Sequence, residues 1–571
     1  MTPALRRYTI TAVTNRRLER WGAWAGLALL VLALFGPLGR FVRTSAMWLD
    51  YPYPRPGSEG LILYESLLVK HGGDIYAPIT PGRFISGPYP PVFYWLAAAA
   101  IPDSLPDFSN LERVTSIFRP GRSIALFSTL LAAALLVLLP VFEGGYALRG
   151  RKRTLLAAAG GLVGGALLLS LPQVLVWATR FRGDMFMIAL TAFGLLLVAV
   201  GAPSGQRGVQ TGPLVAAAIF FGLAFYTKQT AIAGPAAAAA YLLLRDWKSG
   251  LKWCAGMLGV VVLPFLILDI STGNWFYLKM VVYHSLPFVR STFTRLIQFG
   301  LVEDQWPLLL AGGLYSLVRL VEGAKAFRQR RAYSVPLLVP LFLLSSLVTL
   351  PTGGVAGADH NHLLMTGLAN CAACGSLVAW LIAGARSQAD NGPSAGALPL
   401  SPALPALASA AIYAVLLGYV LFTSEPSGVG YGPDLAMRTP AEQEQLRKIT
   451  LYAQGRPGSL LFSDDPGVVA LAGKSTPYDD PFTMTALARL NRWDEAEFRG
   501  MLRNGEFSTL VLSCDVPATV EQRDALARGQ KLNVGSPCRS DTFTDGVLDA
   551  INSGYTLLFR DVLFTYVPKP K

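Results

Sequence analysis

Apolar runs of about 18 residues recur along the chain, separated by short polar turns. This constrains the fold more than any other feature, because runs of that length match the thickness of a bilayer. Only 15% of the residues are charged, against roughly 25% in soluble proteins. The chain reads as a polytopic α-helical membrane protein. Its net charge of +13 does not point to nucleic acid, since the Lys and Arg residues fall in small clusters between the runs. That is the positive-inside pattern of membrane proteins.

About eleven crossings follow. The first is Trp21 to Val42, preceded by a basic, cytoplasmic stretch over residues 1–20. It lacks a cleavage site of the A-x-A kind and is expected to be a retained anchor. The others are Pro120 to Phe142, Thr154 to Leu171, Met185 to Val200, Gly212 to Tyr226, Ala231 to Leu244, Trp253 to Ile270, Trp306 to Val321, Tyr333 to Leu350, Leu363 to Ala385 and Pro402 to Phe422. With this set, every basic cluster lies on one side. The membrane domain is expected over residues 21–422 and an extracytoplasmic α/β domain over residues 423–571. The latter alternates short β-like runs (459–462, 509–512 and 556–559) with helical patterns such as Trp493 to Leu502.

Two long loops face the non-cytoplasmic side, residues 45–119 and Ser271 to Gln305. The first carries Asp50, Glu59, Glu65, His71 and Asp74 among aromatics and prolines. Long loops of this kind tend to be functional. Pro91 to Ile101 is too short to span and is expected as an interfacial helix. Residues 105–117 form an amphipathic stripe that would lie on the membrane surface. Of the cysteines, Cys514 and Cys538 either pair, as suits an oxidising exterior, or stay as buried thiols. Cys371-Ala-Ala-Cys374 sits in an apolar helix and reads as packing.

Ionisable groups collect at the same membrane end. The turn before the fourth crossing supplies Arg180, Arg182 and Asp184, and the next turn on that side supplies Lys228 and Gln229. The second loop adds His284, and a last turn adds Asp359, His360, Asn361 and His362. Cations at several such turns suit a phosphate or pyrophosphate, with a carboxylate opposite as general base. For any one of these residues, simple snorkelling to the interface is an equal alternative. His360 and His362 are compatible with a metal, a sugar or phosphate, or a plain polar turn. Asp464-Asp465 and Asp479-Asp480, each followed by proline, read as turn and helix-cap residues.

Three stretches together resemble the GT-C superfamily of membrane glycosyltransferases, particularly its bacterial mannosyltransferase- and aminoarabinose-transferase-like members. They are Glu59 to Tyr64 with Gly72 to Pro78 and Tyr89 to Tyr94; Arg180 to Asp184 with Leu223 to Pro235; and Asp359 to Leu364. The likeness covers roughly residues 20 to 385. It implies a bacterial inner-membrane enzyme whose site and C-terminal domain are extracytoplasmic. The enzyme would move a hexosyl or pentosyl group from a polyprenyl-phosphate sugar to a lipid, glycan or protein acceptor, with inversion. Glu59 matches the family's acidic position as the base, with Asp50 as second candidate. Arg180, Arg182, Asp184, Lys228, Gln229, His284, His360, Asn361 and His362 would bind substrate or phosphate, and Tyr64, Tyr89 and Tyr94 would stack on sugar or isoprenoid. No cofactor is required by this reading, and a divalent metal is compatible with it. A lipid-linked-sugar flippase and a non-catalytic envelope assembly protein are the alternatives.

Overall fold

The structure is a computed structural model that describes residues 3–55, 58–103, 117–146, 150–390, 403–423, 435–517, 522, 537–538 and 542–570. Most of the amphipathic stripe expected over 105–117 lies outside the described residues, as do parts of the expected linkers.

The bundle is a multi-pass membrane array of helices. In chain order these are α1 (Pro3–Leu49), two short helices of the first loop, α2 (Glu59–Lys70) and α3 (Val92–Ala100), then α4 (Arg119–Glu143), α5 (Arg151–Ser170), α6 (Pro172–Trp177), α7 (Asp184–Gly201), α8 (Thr211–Thr227), α9 (Ala233–Arg245), α10 (Trp247–Ser271), α11 (Asp304–Arg328), α12 (Leu338–Val348), α13 (Leu364–Asp390) and α14 (Ala403–Gly418). Each of the eleven apolar runs coincides with a helix. Seven helical segments among the described residues are long and apolar enough to cross a membrane, and three more are shorter. α3 has nine residues and does not span, as expected.

Close packing at the centre comes from the Gly160-Gly161 and Gly164-Gly165 pairs of α5. A Cβ on Gly160 would stand 2.3 Å from the Ala379 backbone of α13, and one on Gly161 would stand 2.4 Å from the Val137 carbonyl of α4. Small residues thus let three backbones approach, the usual device where no hydrophobic effect drives helices together.

The second loop differs from expectation. Residues 290–303 are helical and run directly into α11, so this helix begins well before Trp306. The reason is apolar: Leu296 and Leu301 bury against Leu350 and Leu363.

The C-terminal region carries a four-stranded sheet of order β1-β2-β4-β3. β1 (Leu461–Ser463) pairs parallel with β2 (Thr509–Leu512). β4 (Phe564–Pro568) is antiparallel to both β2 and β3 (Tyr555–Arg560). Helices α15 (Pro440–Gly455), α16 (Pro466–Leu471) and α17 (Pro481–Arg489) surround it. Cys514 and Cys538 are disulfide-bonded. Cys371 and Cys374 are buried thiols of α13.

This region is built into the first loop. Trp48, Tyr64, Phe93, Ile449, Val468 and Val511 share one core. Phe84 N–H donates to the Pro477 carbonyl and Asp479 N–H returns to the Phe84 carbonyl, a backbone bridge between the two segments. The joint fixes the roof of a cavity over one end of the bundle.

Candidate active site

A cavity of about 880 Å³ lies between that end of the bundle and the C-terminal region. Its bundle wall is cationic. Asp184 opens α7, and Lys228 follows the last residue of α8. Lys228 Nζ donates to Asp184 Oδ1, Arg182 Nε donates to Oδ2 at 3.1 Å, and Asn361 Nδ2 donates to Oδ1 at 2.9 Å. One carboxylate serves two cations, so the group keeps a net positive charge. Arg182 also donates through Nη1 to Ser58 Oγ at 2.8 Å and through Nη2 to the Tyr89 hydroxyl. Arg182, Lys228 and Tyr89 line the cavity, while Asp184 sits in a small recess behind them. Asp184 thus ties the two cations together from behind the cavity wall.

His284 and His362 complete this wall. His284 Nδ1 faces the Lys279 carbonyl at 3.3 Å and therefore carries the ring proton, which leaves Nε2 as an acceptor. Burial lowers the His284 pKa from its ordinary value, so the ring is neutral at pH 7. His362 Nδ1 pairs with Thr352 Oγ1 at 3.0 Å. Gln229 is anchored by Nε2 to the Pro88 carbonyl at 3.3 Å and also faces the cavity. Apolar side chains Phe225, Phe265, Phe276 and Met280 lie along the same cavity.

Residues 114–268 match the family model described as "Dolichyl-phosphate-mannose-protein mannosyltransferase". The matched stretch includes Arg182, Asp184 and Lys228. The chain is similar in structure to ArnT from Cupriavidus metallidurans bound to undecaprenyl phosphate. The TM-score is 0.51 at 15% identity, with 95% of this chain and 99% of that one covered. The apo form of the same protein gives 0.51 at 16% identity, covering 96% and 100%. The chain has the GT-C fold. The Archaeoglobus fulgidus oligosaccharyltransferase is also similar, with a TM-score of 0.46 at 13% identity over 85% of this chain and 69% of that one. No curated protein matches by sequence.

Within the GT-C fold, several residues expected at the site lie elsewhere. Glu59 is fully buried and outside the cavity. Arg122 Nε and Nη2 donate to its two oxygens at 2.8 Å each, and the backbone N–H groups of Arg55 and Phe181 add two further bonds at 2.8 Å. Burial pushes its pKa up, but the Arg122 charge and hydrogen bonds outweigh this and hold it below the usual carboxylate range. Bonded four times and turned away from the cavity, this carboxylate anchors the first loop to α4. Asp50 is exposed and paired with Arg119 at 3.1 Å, away from the cavity. Tyr64 is also displaced: its hydroxyl donates to the Thr476 carbonyl at 2.8 Å and accepts from the Thr476 N–H at 2.9 Å, joining loop to roof. Tyr94 donates to Glu65 Oε2 at 2.5 Å and lines only the recess. Arg180 is buried with its guanidinium 4.6 Å from the Trp177 ring centre, and His360 bonds Asp359 at 3.0 Å; neither lines the cavity.

The roof supplies what the sequence reading passed over. Asp464, Asp465, Asp479 and Asp480 all line the cavity. The cap assignment holds locally: Asp465 Oδ1 accepts from Gly467 N–H at 2.9 Å, and Asp480 Oδ1 accepts from Thr483 N–H at 3.1 Å. The repeated Asp-Asp-Pro at 464–466 and 479–481 was the available signal, since it sets two acidic caps into one roof. Among the described residues no group of three or more His, Cys, Asp or Glu is placed to hold a metal ion.

Proposed function

We propose that the protein is a membrane glycosyltransferase that moves a sugar from a polyprenyl phosphate to a lipid, glycan or protein acceptor. The cavity faces away from the cytoplasm. The observation that carries this reading is the Arg182–Lys228 pair, fixed by Asp184 in the cavity wall with a net positive charge beside an apolar lining. Such a pair suits the phosphate of the donor, while Phe225, Phe265 and Phe276 suit its isoprenoid chain.

In the transfer, the acceptor oxygen attacks the anomeric carbon in line with the departing phosphate, and the configuration inverts. Negative charge grows on the phosphate oxygen as its bond to the sugar breaks. Arg182 and Lys228 stabilise that charge without moving, because Asp184, itself held by Asn361, together with Ser58 and Tyr89 already holds them. The neutral His284 offers Nε2 to a sugar hydroxyl. The fold match to an ArnT crystallised with undecaprenyl phosphate supports the donor class.

The test is binding of undecaprenyl phosphate to protein in nanodiscs, together with transfer from undecaprenyl-phosphate-linked hexoses and pentoses. Lys228→Met removes one charge-assisted bond and should weaken binding by about ten- to a hundredfold. Wild-type protein that neither binds this lipid nor transfers from it would rule the reading out.

A further inference from the structure

A transfer of this kind needs a group to take the acceptor proton, and among the described residues of the first loop no carboxylate lines the cavity. We propose that Asp465, contributed by the C-terminal roof, is the catalytic base that accepts this proton. The proposal rests on the transferase reading above.

Position is the first argument. Asp465 and the cationic wall meet the same turn of α2 from two sides. Arg182 Nη1 bonds Ser58 Oγ at 2.8 Å, and Asp465 Oδ1 lies 1.9 Å from where a Cβ on Gly60 would stand. Between them, Glu59 points into the protein toward Arg122. The carboxylate missing from the cavity side of this turn is therefore supplied across the joint by the roof.

Availability is the second argument. Among the described residues, Asp465 Oδ1 accepts the Gly467 N–H and Oδ2 accepts nothing. Of the other carboxylates at or beside the cavity, Asp464, Asp480 and Asp184 are engaged at both oxygens, whereas Asp359 takes both of its bonds on Oδ1 and Asp479 accepts a bond on Oδ1 only. Asp464 accepts from the Ser513 N–H and hydroxyl, and Asp480 takes Thr483 N–H on Oδ1 and Thr483 Oγ1–H on Oδ2. Asp359 is bonded by the His360 N–H and ring, and Asp184 by two cations and Asn361. Asp479 is held by Ser86 N–H and lies against Glu65.

Basicity agrees with both. Burial, offset in part by the Gly467 bond and reinforced by the Asp464 and Glu59 charges, pushes the Asp465 pKa up to about 7. A base is most effective with a pKa near the working pH. In the step, the acceptor O–H proton passes to Asp465 Oδ2. The acceptor oxygen forms its bond to the anomeric carbon, and the sugar–phosphate bond breaks with its electron pair going to the phosphate.

Asp465→Asn tests this with the cap preserved, since Asn caps helices as well as Asp does. The assay supplies undecaprenyl-phosphate hexoses and pentoses with lipid and glycan fractions of cell envelopes as acceptors. The variant should bind undecaprenyl phosphate and melt as wild type does, yet lose about 10²- to 10⁴-fold in kcat. The rise in rate toward neutral pH should vanish with it. Asp465→Ser, a second capping variant, should regain rate on addition of formate. Either variant within threefold of wild type, with an unchanged pH profile and no response to formate, overturns the assignment; Lys228→Met remaining defective in the same assay leaves the transferase reading intact. Wild-type protein inactive with every donor and unable to bind undecaprenyl phosphate overturns both.

Discussion

The Asp465 carboxylate rests directly on the α-carbon of Gly60, with Oδ1 1.9 Å from the site a Cβ would take. The same hypothetical Cβ would stand 2.4 Å from the backbone nitrogen of Gly467. Neither neighbour can swing aside, because Asp465 caps α16 and Gly467 is part of it. Gly60→Ala should therefore prise the roof from the first loop, at a cost of about 1–3 kcal/mol typical of overpacking, and depress transfer as Asp465 shifts. Gly36→Ala, on a stretch of α1 with nothing within 4 Å, is the matched control and should melt at or slightly above wild type. Equal melting points for the two variants in detergent would contradict the close approach.

The Glu59–Arg122 pair makes a different prediction. Both side chains are fully buried, and Arg122 also donates to the carbonyls of Trp48, Tyr51 and Tyr53. Removing one partner of such a pair typically costs about 3–5 kcal/mol, because the other charge is left stranded. Glu59→Gln should lower the melting point and the yield of folded protein, while the surviving fraction keeps its per-molecule kcat. A folded Glu59→Gln protein with wild-type stability and a collapsed kcat would return Glu59 to the chemistry.

The bundle was legible because bilayer thickness imposes a length and charge pattern that a single chain displays openly. Lys228, Arg182 and Asn361 were legible for a related reason: each sits at a helix end, which is where polar groups escape the membrane. The surroundings of Glu59 were not. Glu59 matched the family's acidic position, but the chain places Ser58 on the cavity side of that turn and turns Glu59 inward to Arg122, some sixty residues away in the chain. Nothing local to either residue announces that pairing. The place of Asp465 on the cavity was hidden by its being correct as a cap; a side chain has two oxygens, and the sequence pattern accounted for one. The helix over residues 290–303 was missed because its partners, Leu350 and Leu363, come later in the chain.

The disulfide between Cys514 and Cys538 closes a loop with a sequence separation of 24. A loop of that size restricts the unfolded chain by about 3 kcal/mol in the chain-entropy view. Reduction, or the Cys514→Ser/Cys538→Ser double variant, should lower the unfolding transition of the roof and cost activity through loss of the cavity. Melting curves with and without dithiothreitol give the measurement, and coincident curves would argue against a stabilising bridge.

Glu65 and Asp479 predict how stability follows pH. Both are buried at the joint between first loop and roof. Glu65 accepts from Tyr94, Gly87 and Ser86, and Asp479 Oδ1 accepts from Ser86 N–H at 2.9 Å. Burial raises both carboxyls above the ordinary range; the Glu65 charge pushes Asp479 up further, while hydrogen bonds with Tyr94, Gly87, Asp479 and Ser86 offset part of the rise at Glu65, so the folded pair holds a proton that the unfolded chain has released. The native state then binds more protons than the unfolded state from the ordinary carboxylate range upward, and stability must fall as pH rises through that window. Lys279, whose amine donates to the carbonyls of Ile75 and Ile85, works the other way at higher pH. Burial lowers it to about 8, so above that value the native state has released a proton the unfolded chain still holds, and stability recovers. Arg83, Asp74 and Asp480 add smaller fields to this group. The melting point should decline from about pH 5 toward pH 8 and then level or rise. Glu65→Gln keeps the hydrogen-bond acceptor, adds a permanent donor toward Asp479, and should flatten the decline; a slope left as steep as wild type's would show that the proton resides elsewhere.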